Sequence, residues 1–104
     1  MTDEEVNITA EEAKQIMDSE EGYVILDVRT QEEYDQGHIP NAILIPDTEI
    51  KNKAEEVLTD KNQLLLVYCR SGRRSKLASE ILVELGYTNI KEFGGIIDWP
   101  YEVE

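Results

Sequence analysis

Short, almost continuously apolar runs alternate with amphipathic stretches along this chain of 104 residues. Four of the runs are rich in β-branched or aromatic side chains, which is typical of strands that are covered on both faces. We predict strands over 23–28, 42–45, 64–68 and 89–93. Because the stretches between them have helical character, the pattern predicts an α/β fold with a mainly parallel sheet.

Two sequences of the Ser/Thr-x-x-Glu type predict where the first helices begin. In such a capping box the threonine side chain accepts a backbone N–H bond and the glutamate accepts another in return. The two boxes are Thr9 with Glu12 and Thr30 with Glu33. The first helix is then expected over 10–17, and Gly37 is expected to end the second. A weaker helical stretch over 49–58 is predicted to expose its charged side chains.

The clearest helical pattern follows the cysteine. At roughly 100° per residue, five apolar side chains fall within an arc of about 140°. They are Leu77, Ala78, Ile81, Leu82 and Leu85. This arc is predicted to be the buried face, whereas Ser79 lies outside it and is predicted to face solvent. Gly86 is well placed to end the helix.

The charge of the chain limits its partners. With 23 acidic and 10 basic residues the formal net charge is -13, so neither nucleic acid nor an anionic membrane surface is an expected partner. No apolar run reaches the roughly 20 residues of a membrane-spanning helix. The acidic N-terminus lacks the basic and apolar segments of a secretory signal, which makes the cytoplasm the expected location.

One segment departs from this acidity. Residues 69–75, Cys-Arg-Ser-Gly-Arg-Arg-Ser, hold the only cysteine and three of the four arginines. Positive charge beside a thiol favours the thiolate, which is the nucleophilic form. A buried structural cysteine is the alternative interpretation, but it does not require three arginines nearby. A single cysteine forms no internal disulfide, so any sulfur bound to Cys69 must leave to a group outside the chain.

The predicted placement of this segment favours a binding site. Cys69 follows a predicted strand and precedes a predicted helix, where ligands bind in parallel α/β sheets. Backbone N–H groups of residues 70–74 can converge there on an anion, and Gly72 allows the backbone to curl. We predict that arginines, helix terminus and amides together lower the pKa of a nucleophilic Cys69. The hydroxyls of Ser71 and Ser75 can also donate to a substrate, although helix capping explains either one. The candidate substrate-binding residues are Arg70, Ser71, Gly72, Arg73 and Arg74.

Six short motifs occur in a specific order along the chain. They are Ile-Leu-Asp-Val-Arg at 25–29, Glu-Tyr at 33–34, Gly-His-Ile-Pro-Asn-Ala at 37–42, the cysteine loop at 69–74, Gly-Tyr at 86–87, and Gly-Gly at 94–95 followed by Trp99. In this order and spacing they resemble the single-domain rhodaneses, a sulfurtransferase family. The resemblance extends over about residues 8–99. Asn41 stands where the family often has glycine, a small departure because asparagine tolerates left-handed backbone.

The resemblance implies a rhodanese-like fold in which a five-stranded parallel sheet is flanked by helices on both faces, with residues 1–104 as one domain. It also implies that Cys69 carries sulfur as a persulfide. The thiolate would take sulfur from an anionic donor such as thiosulfate and pass it to cyanide or to a thiol, including a thiol of a partner protein. The loop amides would hold the terminal sulfur, and the three arginines would attract the donor. No cofactor and no metal are implied.

The length of the cysteine loop distinguishes a sulfurtransferase from a phosphatase-type enzyme. The related phosphatases and arsenate reductases use cysteine, five residues and then arginine, whereas here Ser75 occupies that place and Arg74 comes one residue earlier. The shorter loop suits a sulfur atom better than a tetrahedral phosphate. A persulfide carrier for a partner protein, without fast turnover of its own, is the other alternative.

Five further features have predicted roles. Asp27 and Arg29 match family positions that support the site, although a buried ion pair holding the short helix explains them equally well. His38, the only histidine, has no metal-ligand partners at useful spacing and is expected to be structural. Trp99 is expected to pack over the edge of the sheet, and residues 101–104 are expected to form a solvated tail.

Overall fold

One parallel sheet of five strands runs through the computed structural model, which describes residues 5–104. In chain order the strands are β1 (Glu5–Asn7), β2 (Val24–Asp27), β3 (Ile43–Leu44), β4 (Leu65–Cys69) and β5 (Ile90–Gly95). Their spatial order is β1-β5-β4-β2-β3, and every pair is parallel. The expected five-stranded α/β sheet is therefore confirmed. The residue pattern alone found four strands, because β1 is a three-residue edge strand with a single apolar side chain.

Four α-helices connect the strands. They are α1 (Ala10–Ser19), α2 (Gln31–Gln36), α3 (Ile50–Val57) and α4 (Arg73–Glu84). Both predicted capping boxes are confirmed, since each threonine accepts a backbone N–H bond and each glutamate bonds back to the cap. Two short 3₁₀ turns, Asp47–Glu49 and Ile96–Asp98, complete the helical segments. None of the helices in the described part of the chain is long and apolar enough to cross a membrane.

The helices cover both faces of the sheet, as expected. Successive side chains of β4 point to opposite faces. Leu65, Val67 and Cys69 pack with buried residues of α3 and α4, while Leu66 and Tyr68 pack on the other face with Ala13 of α1. All five β4 residues are buried, which explains why this strand is apolar at every position.

The buried face of α4 differs in part from the predicted one. Leu77 is 51% exposed, whereas Ser79, predicted to face solvent, is fully buried. The residues that face the sheet are Ser75, Ala78, Ser79 and Leu82. Three of these side chains are small, so the helix can approach β4 and β5 closely. Ala78 and Leu82 are buried, and Ile81 and Leu85 pack against the core as predicted, so the buried face is shifted toward the serines but not misplaced as a whole. This close approach places Ser75 next to the end of β4.

A β-bulge brings the end of β5 against the segment that follows Cys69. Val67 pairs with Glu92 and Cys69 pairs with Gly95, so β5 contains one extra residue between these pairs. A Cβ atom built at Gly95 would lie 2.0 Å from the carbonyl oxygen of Arg70. Only glycine allows this contact. The N–H of Ile97 also donates to the Arg70 carbonyl, at 3.2 Å.

The C-terminal segment is attached to the fold, which corrects the prediction of a free solvated tail. Glu104 and His38 exchange two backbone hydrogen bonds, at 2.8 and 2.9 Å. Trp99, only 8% exposed, donates from Nε1 to the carbonyl of Glu102 and packs in the core on the α1 face. The Tyr101 ring meets the indole edge to face, at 4.9 Å between centroids. The side chains of residues 102–104 are therefore exposed, but their backbone is held in place.

Candidate active site

The Cys69 thiol lies at the end of β4 and is surrounded by hydrogen-bond donors of the following loop. The N–H of Gly72 donates to Sγ at 3.0 Å, and Oγ of Ser75 lies 3.4 Å from Sγ. The cysteine is only 1% exposed. Gly72 has a φ of 107°, a left-handed conformation that turns the chain back toward the sulfur before α4 begins.

The donors around the sulfur lower the pKa of the Cys69 thiol. Burial opposes ionisation, but the Ser75 hydroxyl and the backbone N–H groups of Ser75, Gly72 and Ser71 outweigh it. The predicted direction is confirmed. The physical source differs in part, because among the described residues the groups hydrogen-bonded to Sγ are a hydroxyl and backbone amides, not guanidinium groups.

Two of the three loop arginines point into solvent. Arg70 and Arg73 are exposed, as is Ser71. Arg70 borders a surface pocket of about 250 Å³ that Arg29, Gly37 and Ile97 also line. This pocket adjoins the cysteine loop and places two guanidinium-bearing residues on its wall. Glu33 lines the same wall, so the pocket carries both signs of charge, and Arg70, the residue after Cys69, joins it to the cysteine loop.

The third arginine is engaged by a carboxylate. Arg74 donates from Nη1 and Nη2 to the two carboxylate oxygens of Glu33, at 2.7 and 2.9 Å. The hydrogen bond from Arg74 lowers the pKa of Glu33 to about 2, and Thr30 contributes to the shift. The charge that Arg74 was predicted to offer to an anionic donor is thus balanced by α2. This pair ties the start of α4 to α2.

Asp27 and Arg29 form a buried ion pair beside the site. Nη2 of Arg29 lies 2.6 Å from Oδ2 of Asp27 and also donates to the carbonyl of Gly37, at 2.6 Å. The Tyr68 hydroxyl donates to the same Oδ2 at 2.7 Å and accepts the N–H of Ile39. These contacts hold the connection between α2 and β3. Arg29 also lines the pocket that Arg70 borders.

His38 lies in this same connection, and its contacts are structural. Its ring stacks on Tyr34 at 3.9 Å between centroids, and Nδ1 lies 3.1 Å from the Tyr34 carbonyl oxygen. Together with the two backbone bonds to Glu104, these contacts account for the position of the side chain.

A buried carboxylate next to the loop was missed by the sequence reasoning. Glu92 of β5 is 2% exposed, and its Oε2 accepts from the Ser75 hydroxyl at 2.6 Å and from the N–H of Gly94 at 2.7 Å. Its Oε1 accepts from the side-chain amide of Asn7 at 2.5 Å. The available signal was a charged residue at the inward position of a short strand, two residues before Gly94. Ser75, for which helix capping was the alternative explanation, contacts both this carboxylate and the thiol, and α4 begins without a side-chain cap.

Comparison with known proteins identifies the family. The sequence matches the rhodanese-like domain model over residues 9–100. This chain belongs to the rhodanese-like domain family. The thiosulfate sulfurtransferase PspE of Escherichia coli is 45% identical to it over 70% of this chain and 70% of PspE. The family resemblance of the motifs is thereby confirmed.

Two further relatives of this rhodanese-like domain extend the comparison. YrkF of Bacillus subtilis, provisionally named a sulfur carrier protein, is 38% identical over 93% of this chain. The chain spans about half of that protein, 52% of its length. A solved structure described as rhodanese with anions from E. coli superposes with a TM-score of 0.74 at 40% identity, covering 79% of this chain and 96% of that one.

Proposed function

We propose that this chain is a sulfurtransferase that moves a sulfane sulfur from an anionic donor to a thiophilic acceptor through a persulfide on Cys69. The observation that carries the proposal is the set of donors around Sγ, contributed by Ser71, Gly72 and Ser75. These donors favour a thiolate, and a thiolate is the form that attacks sulfur. The name of PspE, a thiosulfate sulfurtransferase, supports thiosulfate as the first donor to test.

The proposed reaction has two balanced steps. The Cys69 thiolate attacks the outer sulfur of thiosulfate, so that a bond forms between Sγ and that sulfur while the S–S bond of thiosulfate breaks. The electron pair of the broken bond leaves on sulfite. An acceptor, cyanide or a thiolate, then attacks the terminal sulfur of the persulfide; a bond forms between the acceptor and that sulfur while the bond from Sγ to it breaks, and its electron pair restores the Cys69 thiolate. Neither step needs a cofactor.

The loop has a role in both steps. Backbone N–H groups that face the sulfur stabilise the negative charge that resides on Sγ before attack and on the terminal sulfur afterwards. Arg70 and Arg73, which are exposed at the rim, attract the anionic donor and the leaving sulfite. Arg74 contributes by holding the first turn of α4 to α2 through Glu33.

The proposal is tested by intact-mass spectrometry after incubation with thiosulfate. The wild-type chain should gain one sulfur atom, and cyanide should remove it as thiocyanate. Cys69→Ser, which preserves the size of the side chain, should gain none while keeping the circular dichroism spectrum of the wild type. A wild-type chain that gains no sulfur from thiosulfate, mercaptopyruvate or polysulfide, but hydrolyses aryl phosphates, would show that the proposal is wrong.

A sulfur carrier is the second candidate, and the likeness to YrkF favours it. A carrier would load one sulfur at Cys69 and release it slowly unless its partner is present. Steady-state thiocyanate production separates the two, since an enzyme forms many equivalents per chain.

The absence of nucleic acid and membrane partners, the cytoplasmic location and the single domain over residues 1–104 stay predictions. The family match over residues 9–100 supports the last of them.

A further inference from the structure

A buried carboxylate lies one hydroxyl group away from the reactive sulfur, and the proposed sulfur transfer does not use it. Glu92 shares a sheet face with Val67, its neighbour on β4, because the two residues are in register. Asn7, its neighbour on β1, points to the same face and bonds Oε1. Glu92 therefore has fixed partners on both sides, and its second oxygen is directed at Ser75 of α4.

The Ser75 hydroxyl has one proton and four neighbours that can accept it, because the carbonyl oxygens of Gly72 and Gly94 lie 3.1 and 3.3 Å from Oγ, in addition to a carboxylate and the sulfur. Its Oγ lies 2.6 Å from Oε2 of Glu92 and 3.4 Å from Sγ of Cys69. The short contact to a carboxylate is the stronger bond, so the proton is directed to Glu92 and a lone pair of Oγ faces the sulfur. In the thiol state the chain of donors then runs from S–H to Oγ–H to the carboxylate. When the sulfur is a thiolate, it competes with Glu92 for the same proton.

We propose that Glu92 is a positioning residue that sets the ionisation of Cys69 through Ser75. Its carboxylate withholds the hydroxyl proton from the thiolate and adds a like charge nearby, and both effects oppose the loop amides. A thiolate that is less stabilised is also more nucleophilic, because intrinsic reactivity falls as the thiol pKa falls. The carboxylate thus limits how far the loop can lower the reactivity of the sulfur.

The other charged groups on this side of the loop come from three elements. Arg74 of α4 interacts electrostatically with the charge on Cys69, and it is paired with Glu33 of α2. Asp47, in the first 3₁₀ turn, also acts on Arg74. These groups are unchanged in variants of Glu92 and Ser75, so a change in thiol ionisation in those variants reports the Ser75–Glu92 contact.

The test is the rate of Cys69 alkylation by iodoacetamide as a function of pH, measured on the full chain. Glu92→Gln should lower the apparent thiol pKa by about 1, since it removes the charge and releases the hydroxyl proton. Ser75→Ala should raise the pKa, because the thiolate loses a donor. In the Ser75→Ala background, Glu92→Gln should shift the pKa by less than half as much. Glu80→Gln on the exposed face of α4 is the control for charge alone.

Several results would overturn the inference. One is a Glu92→Gln shift no larger than that of Glu80→Gln, and another is an equal shift with and without Ser75, which would be a simple charge effect. Should Glu92→Gln fail to fold, Glu92→Asp is the second variant, because its shorter side chain retains the charge but moves it away from Ser75. An unchanged Cys69 pKa in Glu92→Asp would contradict the inference. An unchanged pKa in Ser75→Ala would be equally decisive.

This inference rests on the proposed function only in taking Cys69 as the reacting sulfur. Alkylation requires no sulfur transfer, so the two can fail separately. A chain that loads no sulfur but shows the pKa shifts would refute the proposed function alone. A chain that loads sulfur normally and shows no shift would refute the role of Glu92 alone.

Discussion

Arg74 and Glu33 face each other as a two-bond ion pair, with Nη1 on Oε1 at 2.7 Å and Nη2 on Oε2 at 2.9 Å. The same carboxylate completes the capping box of α2. One side chain therefore starts α2 and anchors the first turn of α4. Among the described residues this leaves Arg70 and Arg73 as the loop arginines without a salt bridge.

The first prediction concerns the stability that this pair provides. The folded-state pKa of Glu33 is about 2, below the ordinary value of 4.5, so the ionised form is favoured by folding. The stabilisation is complete above about pH 4.5 and is lost as the pH falls toward about 2. Because both side chains are partly exposed, we expect Glu33→Gln to cost about 2 kcal/mol at neutral pH. Glutamine retains the capping box, so the change isolates the ion pair.

Urea unfolding of the wild type and Glu33→Gln at several pH values checks this prediction. The difference in unfolding free energy should narrow as the pH falls below about 4.5 and nearly vanish near pH 2. Glu32→Gln, at the exposed neighbouring position, should differ little from the wild type at any pH. A difference that stays constant down to low pH would mean that Glu33 stabilises the fold by packing instead of charge.

The second prediction separates the arginines of the loop. Arg70 lines the pocket beside the cysteine loop, whereas Arg73 is exposed but is absent from the pocket wall. Arg70→Gln should therefore raise the thiosulfate concentration needed for half-maximal sulfur loading by about fivefold, the equivalent of roughly 1 kcal/mol. Arg73→Gln, which removes the same charge, should have a smaller effect. Equal effects would indicate that only the net charge of the loop matters. Loading kinetics at low and high salt supply the measurement.

The third prediction concerns the close contact of Gly95 with the Arg70 carbonyl. Gly95→Ala places a Cβ where the oxygen lies 2.0 Å away, so either β5 or the loop must move. We expect a loss of about 3 kcal/mol in unfolding free energy and slower sulfur loading. Gly22→Ala is a useful control. Its backbone has a φ of 79°, so alanine is strained by the left-handed conformation, but the added Cβ meets no atom within 4 Å. It should cost about 1 kcal/mol and leave loading unchanged. If Gly95→Ala loads sulfur at the wild-type rate, the loop does not depend on this contact.

The pattern of apolar residues predicted the strands that are buried on both faces, and this includes the strand that ends at Cys69. It could not predict β1, whose pairing with β5 depends on backbone hydrogen bonds and on Asn7 instead of on an apolar run. It placed most of the buried face of α4 but not its serines, because Ser75 and Ser79 are buried for their small size and not for their polarity. The cysteine loop was recognisable because its residues are consecutive. The Ser75–Glu92 contact and the Arg74–Glu33 pair join residues 17 and 41 positions apart, which no local pattern brings together.

The last prediction distinguishes a structural role from a functional role for the Asp27–Arg29 pair. Tyr68→Phe removes the hydroxyl that donates to Asp27 and accepts the N–H of Ile39, so a buried N–H group loses its partner. The expected cost is about 1–3 kcal/mol in unfolding free energy. Because no hydrogen bond of this cluster in the described residues reaches Cys69, sulfur loading and the thiol pKa should match the wild type.

Tyr101→Phe is the matched control for Tyr68→Phe. In the described part of the chain its hydroxyl makes no hydrogen bond to another residue, so stability should not change. The decisive comparison is between the rate of sulfur loading and the urea concentration at which the chain unfolds. A Tyr68→Phe chain that unfolds at the wild-type urea concentration but loads sulfur slowly would assign the cluster to the site. A destabilised chain with normal loading would show that Asp27 and Arg29 act by holding the connection between α2 and β3.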